Sequence, residues 1–317
     1  MPVCLEIEKP LLELEEKVAS LRCSAQHRDA DMDSGILLMQ EKLTQLKELF
    51  FYRMSPLEKV QMARHPLRPY PADYIRLIFT NFLELHGDRR FSDDQAIFGG
   101  FALFDQQRVL LIATRKGRDL KTNMETNFGC AHPEGYRKAL RLMKLADKVH
   151  CPIITLVDTP GAYPGIAAEE RHIGEAIACN LRDMFRLSVP IISVITGEGG
   201  SGGALGISVG NRILIMANAY YSVITPEGCA AILWRSAEAI PKAAEALKLT
   251  STDLKNLGIA EEVVAEPLGG AHRDYPGAAG LLADALRRHL QELRKMSPEQ
   301  LRQDRYDKFR AMGQFLD

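Results

Sequence analysis

Residues 197–206 read Gly197-Glu198-Gly199-Gly200-Ser201-Gly202-Gly203-Ala204-Leu205-Gly206. Glycine lets main chain approach a ligand without a Cβ in the way. The first N–H groups of a helix have no partner inside it and lie at its positive end. Ala204 to Val209 is short, apolar and predicted helical, so the run offers a water-poor cradle of N–H donors for an oxygen that gains charge during a reaction. Five glycines between Gly197 and Gly203 exceed the need of one tight turn, which points to function. A second rigid turn, Asp158-Thr159-Pro160-Gly161-Ala162-Tyr163-Pro164-Gly165, carries two prolines and two glycines. Set on a neighbouring parallel strand, it would stand beside Gly202 and Gly203. Asp158 reads as a loop cap in preference to a catalytic acid. Glu169 and Glu170 read as residues suited to the positive start of the next helix.

Other chemistries overlap the same stretch. Gly197, Gly199 and Gly202 fit the dinucleotide pattern G-x-G-x-x-G, which needs an acid about 20 positions on to hold the ribose. No acid lies between Glu198 and Glu227. Residues Gly199 to Gly203 also fit the nucleophile elbow G-x-S-x-G around Ser201. Only His272 and His289 follow as bases, and His289 falls in a charged helix. No Gly-Lys-Ser/Thr occurs, so a P-loop is excluded.

The elements that hold these turns are legible as a near-repeat. Cys151 to Asp158 and Val189 to Thr196 are apolar runs whose prolines, Pro152 and Pro190, stand 38 positions apart. A helix is expected from Ala167 to Leu187, with Ile173, Ile177, Leu181 and Met184 on one face. Strand, helix, strand at this spacing predicts a βαβ unit with parallel strands buried on both faces. Chemistry in α/β folds gathers at the carboxyl ends of such strands. Phe98 to Phe104 and Arg108 to Thr114 predict two strands joined by an Asp105-Gln106-Gln107 turn. Glu134 to Val149 is helical, and Arg212 to Ala217 and Tyr221 to Thr225 are short strands. Gly277 to Met312 is a charged, mostly helical tail.

The first 65 residues are rich in Leu, Glu and Lys and contain a single glycine, Gly35. Leu11, Leu14, Val18 and Leu21 recur at helical spacing, as do Met39, Leu43, Leu46 and Phe50, with a loop expected over Ala25 to Ser34. This arm either packs on its own domain or grips a partner subunit; periodicity does not choose. Prolines 66, 69 and 71 mark a linker. Three segments follow: an arm over 1–65, a core over 66–270 and a helical tail over 271–317.

Of 317 residues, 46% are hydrophobic and 26% charged, and the formal net charge is -1. That balance is of a globular protein and argues against nucleic acid as a partner. No apolar stretch reaches membrane-spanning length. The acidic start lacks a secretory pattern, so a cytoplasmic protein is expected. None of the six cysteines is spaced C-x-x-C, which predicts no metal in this chain.

The paired turns Asp158 to Gly165 and Gly197 to Gly206 resemble those of the alpha-subunit family of carboxyltransferases from bacterial multi-subunit acetyl-CoA carboxylases. So do Asn127-Phe128-Gly129, Pro133 to Met143, Ser222 to Ala230 and Glu266 to Arg273. The similarity runs from about residue 35 to 310. It implies an α/β fold of crotonase-like type, a ββα spiral with an N-terminal helical arm and C-terminal helices. It implies transfer of a carboxyl group from carboxybiotin, held on a biotin carboxyl carrier protein, to acetyl-CoA. Malonyl-CoA, the product, opens fatty acid synthesis. The biotin is not attached to this chain, and the coenzyme A thioester is the second substrate. The implied partners are a beta subunit in an α2β2 assembly, bearing a zinc ribbon, and a biotin carboxylase in the full complex. By position, the biotin-side oxyanion donors fall on the backbone of Gly202 and Gly203. The adjacent wall falls on Gly161, Ala162, Gly199 and Gly200. Gly203→Val is then expected to block the site while leaving distant packing intact. The basic segment Arg115 to Lys121 is a candidate for coenzyme A phosphates or the partner, or else a solvated loop. The alternative is a self-sufficient enoyl-CoA hydratase or isomerase of the same fold, using Glu198 and Glu227 as acid and base.

Overall fold

A computed structural model describes residues 4–25 and 30–313. Among them, eight strands form one mixed sheet. The antiparallel part comes first: β1 (Thr80–Glu84), β2 (Ile97–Phe104) and β3 (Gln107–Thr114). Asp105 and Gln106 both take positive φ, 47° and 62°, so the β2–β3 hairpin closes through two residues and Gln107 already belongs to the strand. The parallel part is β4 (Ile153–Thr159), β5 (Ile191–Gly200), β6 (Arg212–Met216) and β8 (Glu262–Val264), in the order β3-β4-β5-β6-β8. At its end β5 turns away from β6 and pairs with β7 (Tyr220–Ser222). Every residue of β4 and β5 is buried, as expected for strands covered on both faces.

The expected βαβ unit is present. Ile153 to Val157 pair in parallel register with Ile191 to Ile195. Two sequence expectations are corrected here. The single helix over Ala167 to Leu187 is two, Ile166–Glu170 and Ile173–Met184, because His172 adopts left-handed φ 64° between them. Strand β5 also runs four residues beyond Thr196, into the glycines, because β7 supplies a partner there.

The arm contains α1 (Lys9–Ala25), α2 (Ala30–Arg53) and α3 (Pro56–Ala63). Ala30 to Ser34, expected in a loop, already belongs to α2; residues 26–29 lie outside the described residues. Leu11, Val18, Leu43 and Val60 are buried, whereas Met39, Leu46 and Leu49 remain exposed on α2. Helix α1 is pinned to its own chain, with Glu15 accepting from Arg273 at 2.7 Å. The two long C-terminal helices, Tyr275–Leu293 and Pro298–Arg310, place Leu282, Leu286, Leu290 and Leu301 in the same apolar core as β3 to β6. Helix Pro133–Lys148 buries Tyr136, Leu140, Met143 and Ala146 as its spacing predicts. No helix among the described residues is long and apolar enough to cross a membrane.

Candidate active site

The two glycine turns leave the carboxyl ends of β4 and β5 side by side. Thr159 pairs with Gly199. A Cβ placed on Gly203 would lie 2.3 Å from the Gly161 carbonyl carbon and 2.4 Å from the Ala162 nitrogen. The second turn is braced from its other side, where the Thr159 hydroxyl donates to the Gly129 carbonyl at 2.6 Å and Tyr163 N–H to Ala131 at 3.0 Å. The Asn-Phe-Gly motif therefore supports the Thr-Pro-Gly turn. Phe128 stays exposed with left-handed φ 55°.

Beyond Gly200 the chain enters a one-turn helix, Ser201–Leu205, in which Gly202 and Gly203 are the second and third residues. Their N–H groups lack helical acceptors by position. Among the described residues no loop carbonyl or side chain accepts from either, nor from the N–H of Ala162. Three main-chain donors on two touching turns are thus available to an oxygen. Gly202, Gly161 and Ala162 are half-buried and Gly203 is buried. Gly199 and Gly200 are buried inside β5 and back the cradle. Their missing side chains make room for Tyr221 and for the Pro160 carbonyl, which a Cβ would meet at 2.8 and 2.0 Å.

The block expected of Gly203→Val begins at the adjoining turn. Even one added carbon there strikes backbone of the neighbouring turn, so the substitution forces the turns apart.

Behind the cradle lies a cluster of charge that sequence reading missed in part. The Lys116 ammonium donates to Asp158 Oδ1 at 2.7 Å and to Glu198 Oε2 at 2.6 Å. Asp158 Oδ1 also accepts the Glu198 N–H at 2.9 Å. Asp158 is thus a strut between strands, close to the cap expected of it. Glu198 Oε1 accepts from Arg64 Nε at 2.6 Å and from the Tyr220 hydroxyl at 2.8 Å. Burial would push the Glu198 carboxyl up, but the Lys116 and Arg64 charges outweigh it and hold it at about 2. Burial would likewise lower Lys116; the two carboxylates reverse this and push it well above the ordinary lysine range. Arg64 comes from the arm–core junction, a long-range pairing that no local motif announces. Arg68, four residues on, is buried, donates to the Thr196 carbonyl at 2.8 Å and grips Glu266 with both terminal nitrogens.

The rest of the basic segment is largely spent inside the chain. Arg115 pairs with Glu84 at 3.1 Å, and Arg118 pairs with Asp73 at 2.5 Å and stacks over Tyr70. Lys121 is exposed. Glu169 and Glu170 are exposed on the short helix after the second turn. Neither histidine proposed for a Ser201 hydrolase is free. His272 lies 2.9 Å from Glu8 and His289 lies 2.9 Å from Glu262. Ser201 does hold left-handed φ 50°, as the residue at a sharp strand-to-helix turn.

Glu8, His65 and His272 are the one group of possible metal ligands found among the described residues. The two imidazoles stack with centroids 4.0 Å apart and planes 27° apart. The Glu8 carboxylate reaches both rings, at 2.9 and 3.2 Å. The group ties the N-terminal segment to the linker and to the loop before the C-terminal helices. A concavity of about 670 Å³ lies at the opposite end of the strands from the turns, lined by Leu145, Pro152, Val189 and Leu293.

Residues 4–313 match the family described as acetyl co-enzyme A carboxylase carboxyltransferase-like. Among curated relatives, acetyl-coenzyme A carboxylase carboxyl transferase subunit alpha of Geobacter metallireducens is 54% identical over 99% of this chain and 98% of its own. The protein of that name from Synechococcus elongatus is 52% identical over 100% of this chain and 97% of its own. Solved structures share the fold at lower identity. Transcarboxylase 12S superposes with a TM-score of 0.57 at 20% identity, over 71% of this chain and 42% of its own. A Pseudomonas malonate decarboxylase hetero-tetramer superposes at 0.55 and 16% identity, over 64% of this chain and 82% of the matched one. The fold is the expected crotonase-like one. With its paired turns intact and its length matched end to end by such relatives, the chain belongs to the acetyl-CoA carboxylase carboxyltransferase family.

Proposed function

We infer that this chain is the alpha half of an acetyl-CoA carboxylase carboxyltransferase, and that the N–H groups of Gly202 and Gly203 form its biotin-side oxyanion cradle. The observation that carries the site is the pair of first-turn amides, without helical acceptors by position, at the start of the helix that follows β5. Biotin, delivered on a carrier protein, supplies an activated carboxyl group whose departure leaves charge on the ureido oxygen. Gly202 and Gly203 donate to that oxygen, and Ala162 N–H adds a third donor from the adjoining turn. Gly161 and Ala162 line the near wall, with Gly199 and Gly200 holding it from behind. The helix dipole and the exclusion of water by neighbouring loops strengthen each bond.

A beta subunit in an α2β2 assembly supplies the enolate-side cradle, the coenzyme A site and the zinc ribbon. Exposed Leu120, Met124, Phe128, Ile166 and Val223 all follow the carboxyl ends of parallel strands or of β3, and suit a face that a partner covers. A biotin carboxylase completes the complex in the cytoplasm. The arm 1–65, core 66–270 and tail 271–317 remain the working division. The hydratase alternative loses its chemical basis, because Glu198 is held ionised by two cations and Glu227 accepts from Arg64 at 2.7 Å.

The test is co-production with the cognate beta subunit, followed by an assay for malonyl-CoA formed from acetyl-CoA and carboxylated biotin carrier. Transfer by the complex and none by either chain alone is expected. Hydration of an enoyl-CoA by the isolated chain would overturn the reading.

A further inference from the structure

We propose that Lys116 is a positioning residue for this reaction, which keeps the wall behind the oxyanion cradle electrically balanced and the two turns in register. The proposal rests on the carboxyltransferase reading of the site. Asp158 and Glu198 stand at the ends of adjacent strands, and one ammonium bridges them at 2.7 and 2.6 Å. Only 12% of the Lys116 side chain, 9% of Glu198 and 1% of Asp158 are exposed, so solvent screens these charges little. The full set facing the cradle's back is Asp158, Glu198, Lys116 and Arg64, with the neutral Tyr220 hydroxyl on Glu198. Two negative charges meet two positive ones. Glu227 lies outside on Arg64, and the Arg68–Glu266 pair closes on itself.

An anion must form in front of this wall. With Lys116 present the buried charges of the wall balance, the half-exposed Glu227 on Arg64 being screened by solvent, and the amide dipoles act unopposed. Without it one net negative charge stands behind the cradle and raises the energy of the ureido oxyanion more than that of carboxybiotin, whose charge still sits on the departing carboxylate. Lys116 also fixes spacing: Asp158 Oδ1 is shared between the ammonium and the Glu198 N–H, three residues before Ser201. Lys116 touches no substrate atom. Its influence passes through the turns.

The experiment uses the complex with the beta subunit and compares wild type, Lys116→Met and the double variant Lys116→Met/Glu198→Gln, which restores neutrality. Lys116→Met should lower kcat by roughly 10–100-fold, the size of one uncompensated charge in a poorly screened site, with KM for acetyl-CoA within about 2-fold. The double variant should regain most of that loss. Equal slowness of single and double variants, or a single variant altered only in KM or thermal midpoint, overturns the proposal. If Lys116→Met does not fold, the double variant decides: transfer within about tenfold of wild type upholds charge balance, and loss of folding or of transfer overturns it. Absence of transfer in the wild-type complex would instead sink the underlying carboxyltransferase reading.

Discussion

At the scale of single residues, the glycines of the central turn divide by what stands opposite each. A Cβ on Gly197 would meet the Asp158 carboxylate at 2.7 Å, on Gly199 the Tyr221 ring at 2.8 Å, and on Gly200 and Gly203 neighbouring backbone at 2.0 and 2.3 Å. These four are glycine because strands and turns approach closely there. Gly202 differs, since its nearest neighbour would be Ile177 Cδ1 at an ordinary 3.6 Å. The excess of glycine was visible in the sequence, but its cause was not, because the opposing atoms come from Tyr221, Asp158 and the Pro160–Ala162 turn, distant in sequence. The two proposed donors therefore have opposite tolerances. Gly202→Ala should fold with a thermal midpoint close to wild type. Gly203→Ala should displace the Pro160–Ala162 turn, lower the midpoint and cost ~100-fold or more in transfer, the size of a lost oxyanion donor. A calorimetric scan beside the malonyl-CoA assay checks both, and a fully active Gly203→Ala would remove Gly203 from the cradle.

At the scale of elements, the parallel pair β4–β5 was legible because both of its runs are mostly apolar and separated by helix-length sequence. The break at His172 was not. It depends on tertiary bonds, with Arg171 Nε donating to Glu134 at 2.7 Å and the Arg171 carbonyl accepting from Arg137 at 3.0 Å. The linker was likewise recognised by its prolines, whereas the reach of Arg64 and Arg68 into the strand ends was invisible without the fold. A comparable long-range bond secures the helix that precedes β5. Arg305, fully buried on the last helix, donates to the carbonyls of Met184, Leu187 and Val189 and to Asn211 Oδ1 at 2.6–3.1 Å. Burial lowers its guanidinium to about 10, and the bonds answer part of that cost. Arg305→Leu would leave the Leu187 and Val189 carbonyls bare, while Asn211 Oδ1 keeps the Ile191 N–H at 3.2 Å and the Met184 carbonyl the Leu187 N–H at 3.4 Å; each group left unsatisfied costs about 1–3 kcal/mol, incompletely additive. A loss of roughly 2–5 kcal/mol is expected, set by the two neutral carbonyls left without donors. Denaturant midpoints measure it; a variant as stable as wild type would show that these carbonyls find other partners.

At the scale of the whole molecule, a net charge near zero conceals many carboxylates held ionised by the fold. Burial opposes ionisation of Glu198, yet its cations hold it at about 2. The Arg182 and Lys144 bonds likewise hold Asp183 at about 2. Glu8, Asp93 and Glu266 are buried in part or whole, yet their hydrogen bonds and neighbouring cations keep each below the ordinary carboxylate range. A carboxyl depressed in the folded state binds its proton more readily in the unfolded chain. Its stabilisation is complete above the unfolded value near 4 and is lost as pH falls through the folded one. Asp94 runs the other way, since burial raises its carboxyl and protonation there favours folding. Five depressed groups against one raised group set the sign. The urea midpoint should be flat from about pH 7 to 5 and fall steeply from about 4.5 toward 2. Because Glu198 joins the arm–core junction to both turns through Arg64 and Lys116, replacing it with Gln should make part of that fall disappear. The comparison needs only the isolated chain and a fluorescence-detected titration. An unchanged acid slope in Glu198→Gln would mean that the charge cluster behind the cradle is uncoupled from the stability of the fold that carries it.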